Sequence, residues 1–221
     1  MDVALLVVQY IGIVAFSISG TLVAIKKRTD SLGALIFAML TAFGGGVTRD
    51  LILGRPIGLL WSQEYRYMAL VSIAISLIGF HLALVPQVAA FLRRHEHDTV
   101  LELADAIGLA SFCVSGVDVA ISVSGTDNAL LLIFCGCITG VGGGILRDIC
   151  SAEIPALFRK HVYCLPAVGG TILYVYTYGV LPHIVSMLIA IVLIILFRML
   201  ACKFKWNLPA PNGGEETTET P

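Results

Sequence analysis

Apolar residues fill long stretches of the chain, separated by short polar or basic interruptions. The stretches run over Val3–Ile25, Ser31–Leu53, roughly Tyr67–Leu92, from Glu102 and Asp105 to about Ser122, Ala129–Cys150, Val162–Gly179 and His183–Cys202. Each is close to the ~20 residues that an α-helix needs to cross the hydrocarbon core of a bilayer. The pattern therefore predicts an all-α polytopic membrane protein with seven transmembrane helices. Between the spans lie Lys26-Lys27-Arg28, the hydrophilic loop Arg93–Asp98, the polar link Ser124–Asn128, the polar loop Glu153–His161 and Val180-Leu181-Pro182. The first stretch follows Met1-Asp2 and precedes the basic cluster, the reverse of a cleaved signal peptide, so it is expected to be a genuine span. Residues 207–221 have no apolar face and are expected to be disordered.

Composition removes the soluble classes. Of 221 residues, 57% are hydrophobic and 13% charged, and the mean hydropathy is +0.91, too apolar for a surface that must face water. No basic footprint for nucleic acid is present. The basic residues are unevenly placed: alternating spans put Lys26, Lys27, Arg28, Arg93, Arg94, Arg159, Lys160, Arg198, Lys203 and Lys205 on one side, with Arg55 and Arg66 on the other. By the positive-inside rule the N-terminus is expected outside and the C-terminus in the cytoplasm. The cysteines have neither the spacing of a metal site nor the setting of a disulfide framework, so no cofactor or metal is expected from them.

One pattern is out of place in such a chain. Thr41-Ala42-Phe43-Gly44-Gly45-Gly46-Val47-Thr48-Arg49-Asp50 returns as Thr139-Gly140-Val141-Gly142-Gly143-Gly144-Ile145-Leu146-Arg147-Asp148. Adjacent glycines weaken a helix by roughly 1 kcal/mol each relative to alanine, and an Arg-Asp pair sits badly in hydrocarbon. The repeat extends beyond the motif. Ile11-Gly12 aligns with Ile107-Gly108, Phe16 with Phe112 and Ser19-Gly20 with Ser115-Gly116 at an offset of 96, and the motif follows at 98. Spans one to three thus match spans four to six. A unit with an odd number of spans must be inverted in its second copy, an architecture of channels and transporters. The expected divisions are 1–96, 97–181, a seventh span within 182–206, and the tail.

Two readings of the glycines stay open. A break at Gly44–Gly46 and Gly142–Gly144 would free carbonyls that could replace part of a cation's hydration shell. Alternatively, the four-residue spacing of Ala38, Ala42 and Gly46, matched by Gly136, Gly140 and Gly144, marks a close helix crossing of the small-xxx-small type. Thr41 and Thr139 are placed with the glycines in the candidate ion pathway. Arg49, Asp50, Arg147 and Asp148 are candidate vestibule or gating residues, or snorkel to the interface. Neighbouring residues point about 100° apart on a helix, so neither Arg is expected to be satisfied by its adjacent Asp alone. At least one is predicted to bond a group on another helix. Asp118 is placed near the end of span four, His81 as a buried hydrogen-bonded side chain, and Glu64 and Tyr65 at an outer vestibule.

The doubled Gly-Gly-Gly-x-x-Arg-Asp motif, the Ser-Gly pairs and the three-plus-three-plus-one layout resemble prokaryotic members of the trimeric intracellular cation (TRIC) channel family, related sequences of which carry a glycine transporter domain. The resemblance spans roughly residues 3–202. It implies a homotrimer in the cytoplasmic membrane with one potassium-permeable pore per protomer, lined by helices two and five kinked at the glycines. Potassium would be the permeant species. The lysine-containing phosphoinositide motif of animal members has no counterpart here, so membrane lipids are expected as surroundings only. A carrier for glycine or another small amino acid is the alternative. No enzyme is expected, since the chain lacks a spaced Ser/His pair, a metal-ligand set and a dinucleotide loop.

Overall fold

The computed structural model describes residues 3–88, 96–159 and 163–206. They form α1 (Val3–Lys26), α2 (Ser31–Ile52), α3 (Gly58–Trp61), α4 (Gln63–Ala83), α5 (Glu96–Ser124), α6 (Ala129–Cys150), α7 (Ala156–Arg159), α8 (Cys164–Thr177) and α9 (His183–Lys203). Among the described residues, six helices are long and apolar enough to cross a membrane. The sixth expected span is the exception. α8 has 14 residues, about 21 Å at 1.5 Å per residue, against a hydrocarbon core of about 30 Å. Tyr178, extended at its C-cap, closes it. The third span also shifts: α4 begins at Gln63 and its described helix ends at the Leu84 cap. In the expected loop Arg93–Asp98, the backbone from Glu96 already belongs to α5. The remainder of that loop and the tail from Asn207 lie outside the described residues.

Local chemistry sets the starts of the motif helices. The Asp30 carboxylate accepts from Gly33 N at 2.7 Å ahead of α2, and Asn128 Oδ1 accepts from Leu131 N at 3.1 Å ahead of α6. Each satisfies one of the orphan donors of a helix N-terminus.

Contacts give the directions. Gly20 of α1 meets Phe37 and Ala38 of α2, so these two run antiparallel, whereas Gln9–Tyr65, Ser17–Ser72 and Thr21–Gly79 make α1 and α4 parallel. α5 is antiparallel to α1, with Phe16 on Gly108 and Gln9 on Ser115, and α6 is antiparallel to α5 and to α2. α8 and α9 pack beside α5 and against each other. α1 and α2 therefore run opposite to their sequence counterparts α5 and α6.

The expected break at the glycines is absent. α2 is helical without interruption from Ser31 to Ile52, and α6 from Ala129 to Cys150. In a bilayer the backbone has no water to bond, so intrahelical hydrogen bonds are kept despite poor propensity. Each glycine has a separate task. A Cβ on Gly45 would collide with the Thr139 carbonyl oxygen, one on Gly143 with the Thr41 carbonyl oxygen, and one on Gly142 would lie 2.9 Å from Gly45 Cα. α2 and α6 thus cross backbone to backbone, and the contacts are reciprocal at the 98-residue offset. Gly44 makes room for Leu146, whose Cδ1 would lie 2.6 Å from a Cβ placed there. Gly46 instead leaves space beside a guanidinium group, its Cβ position 3.8 Å from Arg49 Nη2, whereas a Cβ on Gly144 would meet Tyr163 OH at 3.3 Å and Arg147 Nη2 at 3.8 Å. Gly136 and Gly140 pack on Cys113 and Leu109 of α5, and Ala38 on Gly20 of α1. These members of the small-residue stripes make close helix contacts.

These tasks predict unequal costs. Gly45→Ala and Gly143→Ala, which force two helices apart, should destabilise by about 1–3 kcal/mol or more, whereas Gly46→Ala should be neutral or stabilising by up to about 1 kcal/mol. Thermal unfolding of the purified variants in detergent measures the ranking. Equal effects at Gly45 and Gly46 would contradict the crossing.

Candidate functional site

Two polar layers flank the crossing, one at each end of the motif helices. At the end where α6 finishes, Arg147 is 4% exposed. Its Nη1 donates to Asp105 Oδ1 of α5 at 2.9 Å and to Ser19 Oγ of α1, and its Nε donates to Asp148 Oδ1 at 2.9 Å. Tyr163 OH donates to Asp105 Oδ2 at 2.7 Å, and the Arg198 guanidinium lies over the Tyr163 ring, 4.4 Å from its centroid. Charges at membrane depth require partners, and four helices supply them here. A cavity of about 80 Å³ opens beside this layer, lined by Lys26, Lys27, Glu102, Arg147, Asp148 and Glu153 among others. Lys27 and Glu153 pair at 2.7 Å at its edge.

The opposite layer has the same plan with one substitution. Arg49, 2% exposed, donates from Nε at 3.0 Å and from Nη2 at 2.7 Å to Asp50 Oδ1. Ser115 occupies the place of Ser19 and Tyr65 that of Tyr163. The counterpart of Asp105 is Gln9, fully enclosed, whose Nε2 donates to Ser115 Oγ at 2.9 Å and to Tyr65 OH at 3.3 Å. The other end of its amide, Oε1, has no protein partner. A cavity of about 20 Å³ here is lined by Gly46, Arg49, Asp50, Tyr65, Phe112 and Ser115, with apolar neighbours. It has room for about one water.

The second carboxylate oxygen of each motif Asp has a structural duty. Asp50 Oδ2 accepts from Gly58 N and Asp148 Oδ2 from Ala156 N, both at 2.8 Å. Each thereby anchors the first residue of the short helix that follows, α3 or α7. The turn between uses Gly54 at φ 62° in one copy and Ala152 at φ 56° in the other.

Of the residues singled out in the sequence, Arg147 and Asp148, with Arg49 and Asp50, do line cavities. Arg147 bonds Asp105 on another helix, as predicted. Arg49 departs from the expectation: its Nε and Nη2 both donate to Oδ1 of adjacent Asp50, and Arg55 approaches the same oxygen at 3.7 Å. Thr41 and Thr139 are buried at the crossing, and their hydroxyls bond the carbonyls of Phe37 and Cys135 on their own helices. Gly44, Gly45, Gly142 and Gly143 lie in the crossing itself, and Gly46 and Gly144 beside the arginines. His81 bonds Leu77 O but is exposed. Glu64 is exposed while Tyr65 lines the smaller cavity. Arg198, assigned by charge to a basic flank, is 3% exposed within the bundle. Asp118 is buried and accepts from Tyr174 OH at 2.8 Å beside His183. Gln9 and Tyr163, not singled out in the sequence, carry the layers with Asp105 and Tyr65; their offsets of 96 and 98 are the signal that would have found them.

Buried, partnered charges held within an all-helical apolar bundle define a polytopic membrane protein with a polar layer at each end of its motif helices. The family model described as "Glycine transporter" matches residues 6–83 and again 102–179, and the chain belongs to that family. It is 34% identical over 201 residues to the UPF0126 membrane protein YvgT of Bacillus subtilis, covering 90% of this chain and 92% of the relative. A solved structure described as "Structural basis for conductance through TRIC cation channels" superposes with a TM-score of 0.76 at 35% identity, covering 93% of this chain and 96% of that one. Another, "Crystal structure of a prokaryotic TRIC channel in 0.5 M KCl", gives a TM-score of 0.82 at 30% identity, covering 94% and 100%.

The mismatch between the layers predicts unequal mutational costs. Asp105→Ala strands a buried Arg147 and should cost about 3–5 kcal/mol, whereas Gln9→Ala removes neutral hydrogen bonds worth about 1–2 kcal/mol. Equal unfolding midpoints for the two variants would mean that Asp148 and Ser19 suffice for Arg147.

Proposed function

We propose that the protein is a potassium-permeable monovalent cation channel with one pathway in each protomer of a homotrimer. Its place would be the prokaryotic cytoplasmic membrane, with the N-terminus outside and the C-terminus inside. The observation that carries this reading is the pair of buried Arg-Asp layers at opposite ends of α2 and α6, each bordering a cavity. Likeness to structures described as TRIC channels supports it. The opposed directions and reciprocal contacts of the two halves support an inverted three-plus-three repeat about a pseudo-two-fold axis, with α9 outside it.

In this reading, cations pass from one layer to the other, and the carboxylates of Asp50, Asp148 and Glu153 serve chiefly to neutralise Arg49, Arg147 and Lys27. The arginines keep the layers in place and are largely neutralised by their partners. Three adjacent glycines allow α2 and α6 to bend without losing their hydrogen bonds, and such kinks would change the width of the pathway.

The competing reading is a carrier for glycine or a similar zwitterion, which the family model's own description brings to mind. Reconstitution separates the two. Unitary currents in a planar bilayer that reverse at the potassium equilibrium potential are expected; saturable glycine counterflow without such currents would overturn the channel reading. Gly46→Ala, placed beside Arg49 in the smaller cavity, should fold and lower the potassium conductance several-fold, because its methyl group takes the space of about one water there.

A further inference from the structure

Between the two polar layers lies an apolar aromatic one. On α1, Gln9 belongs to the Arg49 layer and Ser19 to the Arg147 layer; on α5, Ser115 and Asp105 do the same in the reverse order. Ten residues separate the layers on each helix, about 15 Å. Phe16 and Phe112 fall between them. Their rings are 5.3 Å apart, centroid to centroid, at 35°, and the two residues are equivalent in the repeat.

Each ring is seated on a glycine of the facing helix. Gly108 lies directly beneath the Phe16 ring, and a Cβ on Gly12 would be 3.2 Å from Phe112 Cε2 and Cζ. Phe16 is wholly buried, and Phe112 forms a wall of the smaller cavity. Ile13 and Leu109, also buried, are neighbours one turn away. On the other side of this level stands the glycine crossing of α2 and α6, closed backbone to backbone. That side opens only if two helices separate. The phenylalanines can part by side-chain rotation, which breaks no hydrogen bond.

We propose that Phe16 and Phe112 form the barrier that closes the conduction pathway, an apolar constriction that excludes water until the rings separate. The inference rests on the channel reading above. It assigns the control of permeation to α1 and α5, which the glycine motif does not include.

The test uses the full chain in planar bilayers, with purified wild type, Phe16→Ala, Phe112→Ala, the double variant and Phe112→Tyr. Each alanine should raise potassium flux at a fixed voltage by about tenfold, and the double variant further, because a shorter apolar side chain lets water bridge the gap. Phe112→Tyr keeps the ring and adds a hydroxyl to the apolar layer. It should also conduct more than wild type, and it decides the matter if the alanine variants fail to survive extraction. If wild type conducts and the folded variants conduct as it does, the phenylalanines are core packing and the proposal falls while the channel reading stands. If wild type passes no potassium, the channel reading fails and the barrier with it.

Discussion

The structure depends on one backbone contact, the crossing of α2 and α6 at Gly45 and Gly143. Each glycine lies against the carbonyl of a threonine in the other helix, Thr139 for Gly45 and Thr41 for Gly143. No residue with a side chain fits at either point. In hydrocarbon, where lipid is as apolar as leucine, helices associate through close packing rather than through exclusion of water, and small residues make that approach possible. Once this crossing is set, the ends of the two helices diverge to opposite faces of the bundle. Arg49-Asp50 and Arg147-Asp148 are carried there with them.

The charged ends then have to be neutralised. Asp50 and Asp148 each serve two masters, accepting from the adjacent arginine through one oxygen and anchoring the following short helix through the other. The remaining guanidinium donors find different environments. Arg147 reaches a second carboxylate, Asp105, and a hydroxyl, Ser19. At the equivalent place near Arg49 the repeat supplies a neutral amide, Gln9, which bonds Ser115 and Tyr65. The two halves share a backbone plan while their polar layers differ in charge. A pathway between them would therefore present unequal electrostatic faces to the two sides of the membrane.

α9 has no counterpart in the first half, yet it is tied into both ends. Arg198 covers the ring of Tyr163, whose hydroxyl bonds Asp105, so α9 braces the more charged layer from behind. At its other end His183 meets Tyr174 and Asp118 in a polar cluster that joins α5, α8 and α9. Because α8 is short, this cluster also caps the place where it stops.

The all-helical membrane class and most of the approximate spans were legible in the amino-acid sequence, whereas the sixth expected span is a helix of only 14 residues. Hydrophobic length reports membrane helices directly, and a charge inside such a run is conspicuous whatever surrounds it. Even the partners Gln9 and Asp105, or Tyr65 and Tyr163, stood at the repeat offsets. What the chain alone left undecided was the role of three adjacent glycines, because missing side chains permit a break, a bend or a close approach equally well. Tertiary structure decided it. Backbone contact between α2 and α6 holds both helices unbroken and assigns Gly45 and Gly143 to the crossing, Gly46 and Gly144 to the arginines. It also decided which carboxylate each arginine meets, since Asp50, Asp105 and Asp148 are equivalent in type and differ only in where three-dimensional packing brings them.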